Sequence, residues 1–235
     1  MITVGASEAR GNADFGWLRS KHSFSFGSYF DPQHNGFGPL RVINEDRVIG
    51  GAGFDTHGHR DMEILSYVLD GALEHKDNTG TSSVIRPGEI QRMTAGRGVL
   101  HSEYNHSKDD PVHFLQIWIH PDQNGLEPGY EQKAFDADGA ANKLQLIASP
   151  EGTGSAVKIH QDARLYVSRL DADKSVTFSP ENNRRLWVQV ARGEISVNDE
   201  SLREGDGAAV VNEADLTITA LQDAEVLLFD LPLDS

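Results

Sequence analysis

The sequence predicts an all-β protein built from two similar units in tandem. Three observations carry this expectation. Short β-branched or aromatic runs alternate with turn residues, one strand-and-turn pattern occurs twice, and no segment shows the 3.6-residue period of a strong helix. Glycine is abundant, at 23 of 235 residues, which fits frequent tight turns between short strands.

Taken in order, the first strand is expected at Leu40 to Asn44. A second at Glu63 to Leu69 ends at Asp70-Gly71, a third at Ser82 to Arg86 ends at Pro87-Gly88, and a fourth at His113 to Ile119 ends at His120-Pro121. The second half follows with Leu186 to Ala191, Glu194 to Val197, Leu216 to Ala220 and Val226 to Leu231. Tyr130 to Phe135 and Glu200 to Arg203 are too short to assign as helices.

The repeat pairs Tyr67-Val-Leu-Asp-Gly71, Arg86-Pro-Gly88-Glu and FLQIWI with Gln189-Val-Ala-Arg-Gly193, Arg203-Glu-Gly205-Asp and VLLFDL. The glycines of each pair lie 17 and 12 residues apart, so the repeat is similar but not strict. Pro121 to Ala141 is rich in Asp, Gly, Pro and Gln and reads as a crossover, placing the domains at residues 1–137 and 138–235.

With 38% hydrophobic residues the chain can build a packed core. A formal charge of −15 disfavours nucleic acid as a partner, because a negative field repels phosphates. The absence of cysteine excludes disulfides, thiolate metal sites and a thiol nucleophile. Met1 to Trp17 has no apolar run of a secretory signal, and no window approaches the ~20 apolar residues of a membrane span. A cytoplasmic, monomeric protein without a membrane or nucleic-acid partner is therefore expected.

The chemistry concentrates in two places. In Asp55-Thr-His57-Gly-His59, histidines at i and i+2 on a strand face one way, so their ring nitrogens can converge on one ion. In Val99-Leu-His101-Ser-Glu103, a second pair repeats that geometry. Together they offer three imidazoles and a carboxylate, a set that leaves positions open for substrate. Glu63 competes with Glu103 for the carboxylate role. It lies four residues beyond His59, about 13 Å along an extended strand, and would need a bend. Glu103 needs none and is favoured. The remaining histidines, including His22 and His75, are expected to pack or to lie on the surface.

The stretches GWLRSKHSFSFGSYFDP, LRVINEDRV, THGHRDMEILSYVLDGALEH, GEIQRMTAGRGVLHSEYN and LQIWIHPDQNGLEPGYEQ resemble the pirin family of the cupin superfamily, and within it the bacterial quercetin 2,3-dioxygenases. The resemblance spans essentially the whole chain. It implies a bicupin, two antiparallel β-barrels packed in tandem, with a metal in the first barrel only. The family's ligand pattern falls on His57, His59, His101 and Glu103. Counting along the repeat puts Ser179, Glu181 and Ile218 where the second unit would need histidines, so that barrel should hold no metal.

The resemblance further implies an oxidoreductase that opens flavonols such as quercetin with dioxygen, releasing carbon monoxide. The metal would lower the pKa of the flavonol 3-hydroxyl, and Glu103 would accept that proton as the catalytic base. Iron heads the expected metals, with Mn, Co, Ni, Cu and Zn also compatible with the donor set. Some pirins are instead redox-sensing partners of transcription factors, which gives a second reading as a non-enzymatic regulator. A sugar-binding or isomerase cupin is a more distant third.

Overall fold

The computed structural model describes residues 1–136, 139–181 and 184–233. The domain junction expected at 137/138 lies outside the described residues. The first half contains β1 (Ile2–Gly5), β2 (Gly11–Asp14), β3 (Leu18–His22), β4 (Leu40–Val48), β5 (Gly53–His59), β6 (Glu63–Asp70), β7 (Leu73–Asp77), β8 (Ser82–Ile85), β9 (Glu89–Thr94), β10 (Val99–Asn105), β11 (Val112–Ile119) and β12 (Gly129–Ala134). The second contains β13 (Gln145–Ser149), β14 (Val157–Lys158), β15 (Arg164–Leu170), β16 (Ser175–Phe178), β17 (Arg184–Arg192), β18 (Glu194–Val197), β19 (Glu200–Arg203), β20 (Gly207–Val211), β21 (Leu216–Ala220) and β22 (Ala224–Pro232). Among the described residues the one helical element is a single 3₁₀ turn at Ser7–Ala9, and no helix is long and apolar enough to cross a membrane.

The all-β bicupin architecture is present. Each half pairs a seven-stranded sheet with a four-stranded one. The large sheets run β12-β9-β6-β11-β4-β3-β2 and β1-β20-β17-β22-β15-β13-β14, and the small ones β5-β10-β7-β8 and β16-β21-β18-β19. The order β9-β6-β11-β4 is repeated as β20-β17-β22-β15, so the sequence repeat is a repeat of topology. The first strand β1 crosses to the second unit and pairs with β20. Both stretches too short to assign as helices are strands: β12 continues the first large sheet beside β9, and β19 pairs with β18.

Strand alternation positions the interior. On β6, Leu65, Tyr67 and Leu69 face the other unit and join Leu115, Ile117 and Ile119 of β11 with Trp187, Leu227 and Phe229 in one shared core. Ile64 and Val68 of β6, and Phe114 of β11, face into the first barrel. Both faces of these strands are buried, which is why EILSYVL and HFLQIWI read as nearly continuous apolar runs rather than as alternating ones. Between the apolar residues stand two polar ones, Ser66 and Gln116, directly opposite each other on β6 and β11 and both buried.

The hairpin glycines are equivalent too. Gly71 and Gly193 have φ of 77° and 80°, and a Cβ would stand 2.8 Å from the Pro111 carbonyl oxygen and 2.2 Å from that of Asp223. Gly80 has φ of 101° but open space around it. Gly71→Ala and Gly193→Ala should each cost roughly 1–3 kcal/mol in backbone strain, with the steric clash added. Urea unfolding should therefore rank both as more damaging than Gly80→Ala.

Candidate metal centre

The site is built on β5, β7 and β10 of the small sheet, which closes over the large one. In β10, alternation buries His101, Glu103 and Asn105 while Leu100 turns outward. β5 pairs with β10 so that His57 lies opposite His101 and His59 opposite Val99. The register slips between His101 and Glu103, a bulge that re-aims side chains beside the site. Gly58 fits closely between the two histidines, since a Cβ there would lie 3.3 Å from Leu100 Cδ2.

The structure brings the ligand-capable atoms of His57, His59 and His101 within 4.8 Å of one another. His101 Nε2 and His57 Nε2 are 3.1 Å apart. His57 Nδ1 lies 2.7 Å from the Asp55 carbonyl oxygen. A carbonyl can only accept, so Nδ1 carries a proton, and Nε2 is the nitrogen left to face an ion. Burial, reinforced by the neighbouring imidazoles, pushes His101 down to about 3 and His59 down to about 4. Both rings are neutral near pH 7 and offer lone pairs rather than charge.

Glu103 is buried. Its Oε2 accepts from Gln116 Nε2 at 2.8 Å and its Oε1 from Ser66 Oγ at 3.3 Å. It groups within 4.8 Å with His101 and His75 rather than with all three of the first set, while His57, His59 and Glu103 line one pocket. Glu63 stands elsewhere. It shares strand parity with Leu65 and Tyr67, so it leaves the barrel interior and meets Thr94, the His160 backbone N–H and Arg92 instead.

His75, expected to pack or to lie on the surface, packs directly against His101. It is fully buried, and its Nδ1 lies 3.4 Å from His101 Nδ1. Its Nε2 lies 3.1 Å from Asp77 Oδ2. The carboxylate can only accept, so His75 Nε2–H donates to it; in the neutral His75 ring Nδ1 then accepts a hydrogen bond from His101 Nδ1–H, which leaves the His101 Nε2 lone pair free. Asp77 is fixed in turn by Thr79 and Thr81, whose backbone N–H groups donate to its Oδ1. The signal available in the sequence was His75-Lys-Asp77, an i, i+2 pair like the other two.

The pocket has a volume of about 390 Å³. Trp17, Phe26, Phe54 and Trp118 supply aromatic walls, and Phe15 stands exposed at the rim. His22, expected to pack, lines it. Among its polar residues is Asp46, fully enclosed, whose carboxyl burial pushes up to about 7, with Glu103 and Glu45 adding repulsion and Ser20 opposing by a hydrogen bond.

In the second barrel the register puts Ile218 opposite Val176 and Leu216 opposite Phe178. Counted from the shared hairpin glycines, Ile218 is the equivalent of Glu103 and Leu216 that of His101, a two-residue correction to simple counting along the sequence. Ser66 and Gln116 become Val188 and Leu228, which face each other as their counterparts do. The polar set is replaced by aliphatic residues of a continuous core.

Comparison with known proteins agrees with this architecture. Residues 4–119 match the family described as Pirin, and residues 146–231 match the quercetinase C-terminal cupin domain. The chain is 45% identical to quercetin 2,3-dioxygenase of Escherichia coli (strain K12), over 99% of each chain. It is 40% identical to a pirin-like protein of Caulobacter vibrioides, over 94% of this chain and 95% of that one. The crystal structure of the bacterial pirin YhhW from Escherichia coli in complex with nickel(II) superposes with a TM-score of 0.94 at 44% identity, covering 99% of both chains.

The Asp46 carboxyl makes a prediction about stability. Its pKa is raised from 3.8 to about 7, so the folded protein retains a proton that the unfolded chain releases. Its stabilising contribution is complete below pH 3.8 and is lost as the pH rises through about 7. In metal-free protein, Asp46→Asn should flatten the fall in Tm between pH 5 and 8, as read by differential scanning calorimetry.

Proposed function

This chain belongs to the pirin family, and from that premise we propose that it is a metal-dependent dioxygenase opening the heterocycle of flavonols such as quercetin. The observation that carries the reading is the convergence of three imidazoles beside a buried carboxylate at the base of an aromatic pocket. The donor set fits a divalent transition metal. Imidazole nitrogens and a carboxylate oxygen suit Fe, Mn, Co, Ni, Cu or Zn, and iron is the first candidate for this chain. His57, His59, His101 and Glu103 would hold it, and the second barrel would hold none. When bound, the metal supplies Lewis acidity toward a substrate hydroxyl.

The chain's own residues do the rest. Trp17, Phe54 and Trp118 give flat walls that suit fused rings and keep bulk water out. Glu103 takes the proton of the flavonol 3-hydroxyl. Oε1 is the atom for this step, because its bond to Ser66 is the longer of the two and Gln116 holds Oε2. In the net reaction the two carbon–carbon bonds flanking C3 break. One oxygen atom goes to each outer carbon, and C3 leaves as carbon monoxide. Asp77 and His75 keep His101 in the tautomer that presents Nε2. A monomer acting on a small aromatic substrate and dioxygen completes the reading.

Protein reloaded separately with each of the six metals should consume quercetin aerobically with release of carbon monoxide. Glu103→Gln should lower kcat by about 10²–10⁴-fold, the usual worth of a general base. Metal bound without turnover of any flavonol would contradict the enzymatic reading and favour a regulator. Separately, His75→Phe should weaken metal affinity by about 10–100-fold in a chelator competition, since it removes the partner that orients His101.

A further inference from the structure

One wall of the pocket carries more hydrogen-bonding capacity than the protein uses. β3 and β4 pair so that His22 lies opposite Asn44 and Ser20 opposite Asp46. Alternation turns these four side chains to the same face, and all four are buried and line the pocket. Asn44 Oδ1, Asp46 Oδ1 and His22 Nδ1 have no hydrogen-bond partner in the protein. Buried polar atoms are rarely left unpaired, because each costs about 1–3 kcal/mol when desolvated without a partner. Three on adjoining positions of one pocket wall form a group, and the aromatic residues Trp17, Phe54 and Trp118 line the same pocket.

We propose that Asn44, Asp46 and His22 form a hydroxyl-recognition subsite, which selects an aromatic substrate carrying ring hydroxyls in addition to the one presented to Glu103. This rests on the dioxygenase reading and specifies its substrate class as polyhydroxylated. An amide oxygen accepts and cannot donate, so the complement of Asn44 Oδ1 is an O–H or N–H donor, while the Asp46 carboxyl accepts when ionised and donates when protonated, either of which a hydroxyl satisfies. A phenol supplies such a donor at the edge of a flat apolar ring, matching polar groups set among the aromatic residues of one pocket. Burial together with the nearby Arg10 holds the His22 imidazole below its ordinary range, so it stays neutral and can accept as well as donate. The edge of His22 is fixed against Phe26 at 5.3 Å between ring centroids, which sets its orientation toward a ligand. A site built to bond a hydroxyl rejects the analogue that lacks it, because the acceptors are then left unpaired.

The test compares quercetin with 3-hydroxyflavone, which keeps the reacting hydroxyl and lacks the others. Both are titrated anaerobically by fluorescence into metal-loaded protein, so that binding is read without turnover. The wild type should prefer quercetin by at least about tenfold. Asn44→Leu should reduce that preference to about twofold or less, by weakening quercetin binding and strengthening that of 3-hydroxyflavone, which no longer leaves the amide unpaired. Asp46→Asn, which keeps size and shape, should weaken the preference to a smaller extent. Equal wild-type affinity for the two, or a preference that survives both substitutions, would overturn the subsite. If neither flavonol binds the wild type, the flavonol reading fails by itself. The subsite is then judged by ligand-observed NMR with resorcinol against 1,3-dimethoxybenzene. Selective binding of the diol, lost in Asn44→Leu, sustains it, and equal or absent binding of the two overturns it.

Discussion

A carboxylate inside an apolar barrel has to be hydrogen-bonded or neutralised, since burying an unpaired charge is prohibitively costly. Glu103 meets that requirement with two donors, Gln116 on β11 and Ser66 on β6. Those two residues can face it only because their strands alternate. The odd-numbered neighbours on both strands are given over to the shared core of the two units, and the even-numbered ones look into the barrel. The apolar packing that joins the two halves therefore fixes the direction of the groups that hold Glu103. The imidazoles of His57, His59 and His101 complete the arrangement from the small sheet.

The second barrel shows what the same topology does without that requirement. Its equivalents of His101, Glu103, Ser66 and Gln116 are Leu216, Ile218, Val188 and Leu228, and its interior closes into a continuous aliphatic core. Strand order, hairpin glycines and pairing are kept, so none of them depends on the polar site. The site is an insertion of chemistry into one copy of a fold that is stable with oil in the same place. The second unit contributes by covering the outer face of β6, β11 and β4.

Much of this was legible in the sequence, for identifiable reasons. Strands buried on both faces announce themselves as apolar runs, so β6, β11, β17 and β22 stand out. β7, β9, β12 and β19 carry charged or polar residues on exposed or site-facing positions and do not. The two His-x-His and His-x-Glu pairs were visible because their spacing is local. His75 was not, because its relation to His101 depends on β7 pairing with β10 across 26 residues of sequence. Asn44 and Asp46 were written into LRVINEDRV, but Arg41, Glu45 and Arg47 of the same strand are charged, so composition does not single them out. Only the observed pairing of β3, β4 and β11 shows that they face the pocket. Parity separates the two candidate carboxylates: Glu63 falls on the same face as Leu65 and Tyr67, away from the barrel interior, while Glu103 lies beside His101 and His75.

The central claim is that one ion is held by His57, His59, His101 and Glu103. X-ray absorption spectroscopy on protein loaded with one equivalent of zinc tests it most directly. The account predicts three imidazole scatterers at about 2.0–2.1 Å with oxygen completing the shell, and one imidazole fewer in His59→Ala. A spectrum with fewer than three imidazoles, or one that His59→Ala leaves unchanged, would contradict it.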